Sequence, residues 1–314
     1  MSKNLLDLSE KSEKFEGWIG VSKVIADVAG KCGIEFFVAG AYAREIIMYH
    51  GYGIPAITFT ADIDFGVKVA DWEQFDDLID GLMDTGLFDR EKSYHRFLFK
   101  QNDAPPLPVD IVPFGAISSQ ESSITWPPKN EVRMNILGFD EAYKHCIWVK
   151  LSRDPEFEMA FCSIAGLALM KLIAWNDGYT GNTSDSNKRL TKDSADLLLI
   201  LKYYLDAGNN ERLFDSEHED ILEILGDNFT HELAGARLLG RDVAQICNEQ
   251  SREVVLGILD RETDPDNHQT RLVLNMLNSP LAAGVNFDIC MGLLRELNKG
   301  VTEMSAPQPM ESGA

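Results

Sequence analysis

The sequence predicts an α+β protein, with strands and helices mixed in its first half and helices alone in its second. Two observations lead there. Apolar residues recur at strand spacing in short runs up to about residue 114, and beyond Ser163 they recur only at helical spacing. With 314 residues, 45% hydrophobic and 25% charged, the chain has room for two domains and can bury a core without disulfides or structural metal.

Glu13 to Gly33 sets Phe15, Trp18, Ile19, Ser22 and Ile25 on one face of a helix that Gly30 or Gly33 ends. Ile34 to Ala39 suits a buried strand, closed by Gly40, and Ala41 to His50 reads as a helix stopped by Gly51. Residues 57–69 alternate through Ile57, Phe59, Ile63, Phe65, Val67 and Val69 in strand fashion. Asp71 to Met83 has a helical apolar face of Trp72, Phe75, Leu78, Ile79 and Leu82. Tyr94–Lys100 and Leu107–Phe114 are further strands, and short ones follow at Arg133–Leu137 and Phe157–Cys162. Helices are expected at 164–176, 191–206, 217–226, 229–248, 250–260, 268–277 and 286–298. The domains are set at 1–150 and 151–304, with a disordered tail at 305–314.

Composition narrows the function. The net charge is −21 and neither half is basic, so a broad nucleic-acid-binding surface is disfavoured, because neutralising phosphates needs Lys and Arg. The longest apolar stretch, Ile164–Trp175, is short and contains Lys171, and the first ten residues lack the apolar core of a signal peptide. No membrane association is expected. The five cysteines are scattered with no Cys-x-x-Cys spacing, which suits a reducing, cytoplasmic setting.

Asp62-Ile63-Asp64 carries the chemistry. In a strand both carboxylates share a face while Ile63 points inward, and two such close charges are tolerated when a cation lies between them. Asp110 likewise interrupts the apolar strand Val109, Ile111, Val112. If these strands pair, three acids converge on an oxygen-ligated Mg²⁺ site. Asp264-Pro265-Asp266 shows that Asp-x-Asp alone means little in an acidic chain, but it sits among loop residues. A solvated strand edge is the plain alternative for Asp62 and Asp64. Upstream, Gly40 and Ala41 open a helix whose N-terminus could receive phosphate.

Lys171 stands alone on an apolar helix, so it should meet an acid or a phosphate unless it snorkels to solvent. Lys188, Arg189 and Lys192 form a basic island beside Asp193 and Asp196, which share a helical face; capping of the helix accounts for Asp193 but not for the cations. Between these helices, residues 176–187 read as a polar, Gly-rich, mobile loop.

Four stations together resemble the AbiEii-type nucleotidyltransferases, the toxins of type IV toxin–antitoxin systems, MenT-like toxins included. They are Val38-Ala39-Gly40-Ala41-x-Ala43-Arg44, Thr60-x-Asp62-Ile63-Asp64-Phe65, Val109-Asp110-Ile111, and Lys171-Leu172-x-Ala174 with Arg189-x-x-Lys192-Asp193-x-x-Asp196-Leu197. They span residues 34–205. Ala41 follows Gly40 where Gly-Ser or Gly-Gly is common, and Thr58 stands where an arginine is expected ahead of Asp-x-Asp. The resemblance implies a polymerase-β-like fold with a helical C-terminal domain, and transfer of a nucleoside monophosphate from an NTP. Asp62, Asp64 and Asp110 then hold Mg²⁺, with Asp110 also orienting the acceptor hydroxyl. Lys171 and Asp193 match the family's active-site lysine and aspartate. Gly40, Ala41, Arg44, Lys188, Arg189 and Lys192 are candidates for phosphate or acceptor contact. The acceptor is expected to be RNA, often a tRNA end, with a small molecule or a protein as alternatives and an antitoxin as a possible partner. An inactive scaffold serving as a binding module is the rival from another class.

Overall fold

The computed structural model describes residues 5–55, 60–101, 104–128, 132–181, 186–266 and 270–304. It is α+β and divides into two compact units, Met1–Ser163 and Ile164–Ala314. The first unit holds strands β1 (Leu5–Asp7), β2 (Glu35–Ala39), β3 (Ile63–Lys68), β4 (Phe88–Arg90), β5 (Arg96–Gln101), β6 (Ala104–Phe114), β7 (Ser123–Thr125), β8 (Arg133–Asn135), β9 (Ile147–Arg153) and β10 (Glu156–Phe161). Its helices are α1 (Glu16–Lys31), α2 (Gly40–Arg44), continued by a wider turn over Glu45–Gly51, α3 (Trp72–Asp84) and α4 (Phe139–Lys144). Eight strands form one mixed sheet in the order β1-β9-β10-β2-β3-β6-β5-β4, and β7 pairs with β8 apart from it. The division falls at Ser163 because β9 and β10 complete this sheet.

Register sorts the central strands into two faces. Val38 lies opposite Phe65, and Ile63 and Phe65 lie opposite Val109 and Ile111. All are essentially inaccessible and make the core of one face. The other face is graded. At one end Glu35 pairs with Lys68 across the strands. In the middle Phe37 and Phe114 meet Phe139 and Tyr143 of α4 as an aromatic cluster. At the other end Asp64 and Asp110 lie directly opposite each other. Gly66 is needed inside β3 because a Cβ there would meet the Phe37 ring at 2.4 Å.

The second unit is helical: α5 (Ile164–Thr180), α6 (Ser186–Tyr203), α7 (Asp220–Leu225), α8 (His231–Ile246), α9 (Glu249–Thr263), α10 (Arg271–Leu277) and α11 (Phe287–Glu303). α8 and α11 cross so closely at Gly240 and Gly300 that a Cβ on Gly240 would meet the Leu297 carbonyl at 2.2 Å. The contact is flanked by ion pairs of two buried arginines. Arg237 binds Glu296 and Glu303, and Arg241 binds Asp220 and Glu303. Arg212 grips Asp242 through both oxygens, and Tyr204 donates to the same carboxylate. Among the described residues no helix is long and apolar enough to cross a membrane.

The polar loop expected from residue 176 begins later than its composition suggests. α5 runs on to Thr180 because Tyr179 stacks on Trp175 at 5.4 Å and the Arg261 guanidinium lies over both rings. The expected tail at 305–314 lies outside the described residues.

Candidate active site

The site in the first unit is built on three adjacent strands. Asp64 of β3 is in register with Asp110 of β6, and Asp110 is in register with Arg96 of β5. Residues directly opposite one another share a face, so two acids and one base project from the same side of the sheet. The Arg96 guanidinium takes both oxygens of Asp110, with Nε at 2.7 Å from Oδ1 and Nη2 at 2.6 Å from Oδ2. Nη2 also reaches Asp62 Oδ2 at 3.0 Å, so one arginine ties Asp62 to Asp110. Hydrogen bonding to Asp110 raises the Arg96 pKa above its ordinary value against the effect of burial, and the charges of Asp110, Asp62 and Asp64 add to the rise.

Asp62 lies in the bend that leads into β3, one residue before the strand starts. The expectation that it shares a strand pleat with Asp64 is therefore corrected. Residues 57–59 of the expected strand lie outside the described residues. The Thr60 hydroxyl donates to Asp62 Oδ1 at 2.6 Å, and the Thr60 amide donates to Glu45 at 3.1 Å. These bonds turn the chain before the strand and aim Asp62 at Arg96.

Gly40 has φ +66°, and a Cβ on it would lie 1.9 Å from Asp64 Oδ2. A carboxylate already sits against this helix start, where the sequence reading places a phosphate, and negative charge is favourable there. Ala41 and Arg44 are buried in α2. Gly40→Ala is expected to cost about 1–2 kcal/mol from the left-handed backbone alone. If transfer depends on Asp64, as the family resemblance implies, pushing it aside should also lower that activity about 100-fold, the usual order for an ångström-scale misplacement. Urea unfolding and a transfer assay on one preparation read both effects.

In the second unit Lys171 of α5 lies 2.8 Å from Asp193 Oδ1 and 2.8 Å from Asp196 Oδ2, both on α6. Asp193 and Asp196 are buried, and the Lys171 side chain keeps only 13% of its surface exposed. Burial opposes the charged ammonium, but the attraction of Asp196 and Asp193 outweighs it and raises the Lys171 pKa. Since α6 starts at Ser186, Asp193 is too far along the helix to cap it, and Lys171 is its partner. Arg189 and Lys192 are exposed, and the Lys188 side chain lies outside the described residues.

Asp62, Asp64 and Asp110 are expected from the sequence to make one three-carboxylate metal site. Among the described residues no group of three or more His, Cys, Asp and Glu side chains is gathered in that way, and Arg96 engages both oxygens of Asp110. The remaining donors still suit Mg²⁺. Asp62 and Asp64 offer hard carboxylate oxygens of the kind Mg²⁺ prefers. Arg96 is the site residue that the sequence reading missed. Its signal was an arginine two residues before the apolar pair Leu98 and Phe99, on a strand adjacent to the one bearing Asp110.

An α+β sheet with acids grouped on one face suits a nucleotidyltransferase. A family model described as nucleotidyl transferase AbiEii toxin, type IV TA system, matches residues 58–261, and the chain belongs to this family. No curated protein and no solved structure matches the chain.

Proposed function

We propose that the protein transfers a nucleoside monophosphate from an NTP to an acceptor hydroxyl, with Mg²⁺ held by Asp62 and Asp64. The observation that carries this reading is the in-register pair Asp64 and Asp110, with Asp62 tied to them through Arg96, in a chain of this family. The acceptor oxygen bonds to the α-phosphorus as the bond to the bridging oxygen breaks; pyrophosphate leaves and the hydroxyl proton passes to solvent. Mg²⁺, when bound, neutralises charge on the reacting phosphate. Gly40 lets Asp64 approach the backbone, and Thr60 and Glu45 hold Asp62 in place. Lys171 and Asp193 are assigned to transfer by the family resemblance, and within the second unit both belong to a triad with Asp196.

The favoured acceptor is RNA, with a tRNA end foremost, and an antitoxin is the protein partner that the family's type IV description implies. The exposed Arg189 and Lys192, with Lys188, offer a small basic footprint on an otherwise acidic chain. A small-molecule hydroxyl is the second reading, favoured by the net charge of −21. Incubation with total RNA, each α-labelled NTP and Mg²⁺ tests both. Label in RNA supports the first reading and label in a low-mass product the second. No label with any NTP would leave a binding scaffold and overturn transfer.

A further inference from the structure

Arg96 is placed as an ion would be. It lies between two acids, makes charge-assisted bonds of 2.6 to 3.0 Å to Asp110 and Asp62, and its side chain keeps 35% of its surface exposed. Asp110 is only 11% exposed and gives both oxygens to this one partner. A fork-to-fork pair of that kind is close to neutral as a unit. A divalent cation drawn to Asp110 would meet the guanidinium a few ångströms away, and like charges at that range repel strongly in a half-buried site. Asp62 is different, because only one of its oxygens bonds Arg96 while the other accepts from the neutral Thr60 hydroxyl. Arg96 Nη1 makes no hydrogen bond among the described residues, so the outer side of the fork still carries donors.

We propose that Arg96 is the resident cation of the acid site. It uses Asp110 as its anchor, leaves the metal to Asp62 and Asp64, and presents its outer N–H groups to a phosphate oxygen of the triphosphate. The inference rests on the metal-dependent reading above and goes beyond it by giving Arg96 the cation's place on Asp110 and adding a phosphate contact. Arg96 is thus a positioning residue for the acids and a binding residue for an anion. These two roles predict opposite signs when the charge is removed.

Binding of Mn²⁺ and of inorganic triphosphate to the full chain, without turnover, separates the possibilities. Arg96→Met should bind Mn²⁺ about 10- to 100-fold more tightly and triphosphate about 10- to 100-fold more weakly, as changes beside a metal typically do. Removing the neutral pair together, in Arg96→Met/Asp110→Asn, should leave Mn²⁺ affinity within about threefold of wild type, whereas Asp62→Asn should weaken it at least about tenfold. In EDTA, Arg96→Met should melt below wild type and be restored by Mn²⁺, since three acids then face one another uncompensated. If Arg96→Met does not fold, Arg96→Gln reads the same quantities, with the charge removed and an amide donor kept toward Asp110. Equal loss of Mn²⁺ in Arg96→Met/Asp110→Asn and Asp62→Asn would overturn the inference, as would triphosphate binding unchanged by removal of Arg96. Absence of Mn²⁺ binding by wild type would instead count against the metal-dependent reading, and the EDTA melts and triphosphate binding would still test the role of Arg96.

Discussion

Replacing Asp62 and Asp64 together by alanine is expected to lower nucleotide transfer by at least about 1000-fold, equivalent to about 4 kcal/mol of transition-state stabilisation. Far-UV circular dichroism should not change. The reasoning is local. Asp64 lies at one end of a sheet face and Asp62 in the bend before it, while the middle of that face is packed by Phe37, Phe114, Phe139 and Tyr143, so the core does not depend on them. Arg96 keeps both bonds to Asp110 in the variant, which leaves β5 and β6 tied and no buried charge unpaired. Loss of activity with the fold intact then isolates the chemistry. Transfer within about tenfold of wild type would show that the acids of this face are structural and that the reaction occurs elsewhere.

Lys171→Met should destabilise the second unit by about 3–5 kcal/mol, the usual penalty for removing one partner of a buried ion pair. Asp193 and Asp196 would face each other across the space left by the ammonium, both largely shielded from solvent. In the wild type the raised Lys171 pKa means that the triad's stabilisation is fully present below the ordinary lysine value of 10.5. It is lost only as pH rises through the raised folded value. The variant inverts the relevant range. Its stability should rise as pH falls, because protonating one of the two apposed acids relieves the repulsion. The double variant Lys171→Met/Asp193→Asn should recover much of the loss at neutral pH. Urea unfolding at several pH values checks all three statements. A single variant as stable as wild type would mean that the triad is solvated, contrary to its burial.

Local pattern was enough to reveal much of this protein. The helical period after Ser163 marked the helices α5 to α11, and the apolar runs marked β2, β3, β5, β6, β8 and β10. The acids stood out because each interrupts apolar strand sequence, and Lys171 because an ammonium on an apolar helix needs a counter-charge. Short edge and hairpin strands went unread. β1, β4 and β7 have three residues each, too few for a period to show, and β9 alternates weakly through Trp148, Lys150 and Ser152.

What the sequence determined by itself is the α+β class, the family motifs and the residue types capable of chemistry, since these depend on spacing along the chain. What only the tertiary structure decided is which of those residues face one another. The pairing of β5 with β6 brings Arg96 onto Asp110, the bend at Thr60 turns Asp62 toward the same arginine, and Asp196 joins Asp193 on Lys171. Strand register and side-chain direction arise from packing across the sheet, where residues far apart in sequence become neighbours. A one-residue slip in the β5–β6 pairing would send Arg96 to the opposite face from Asp110.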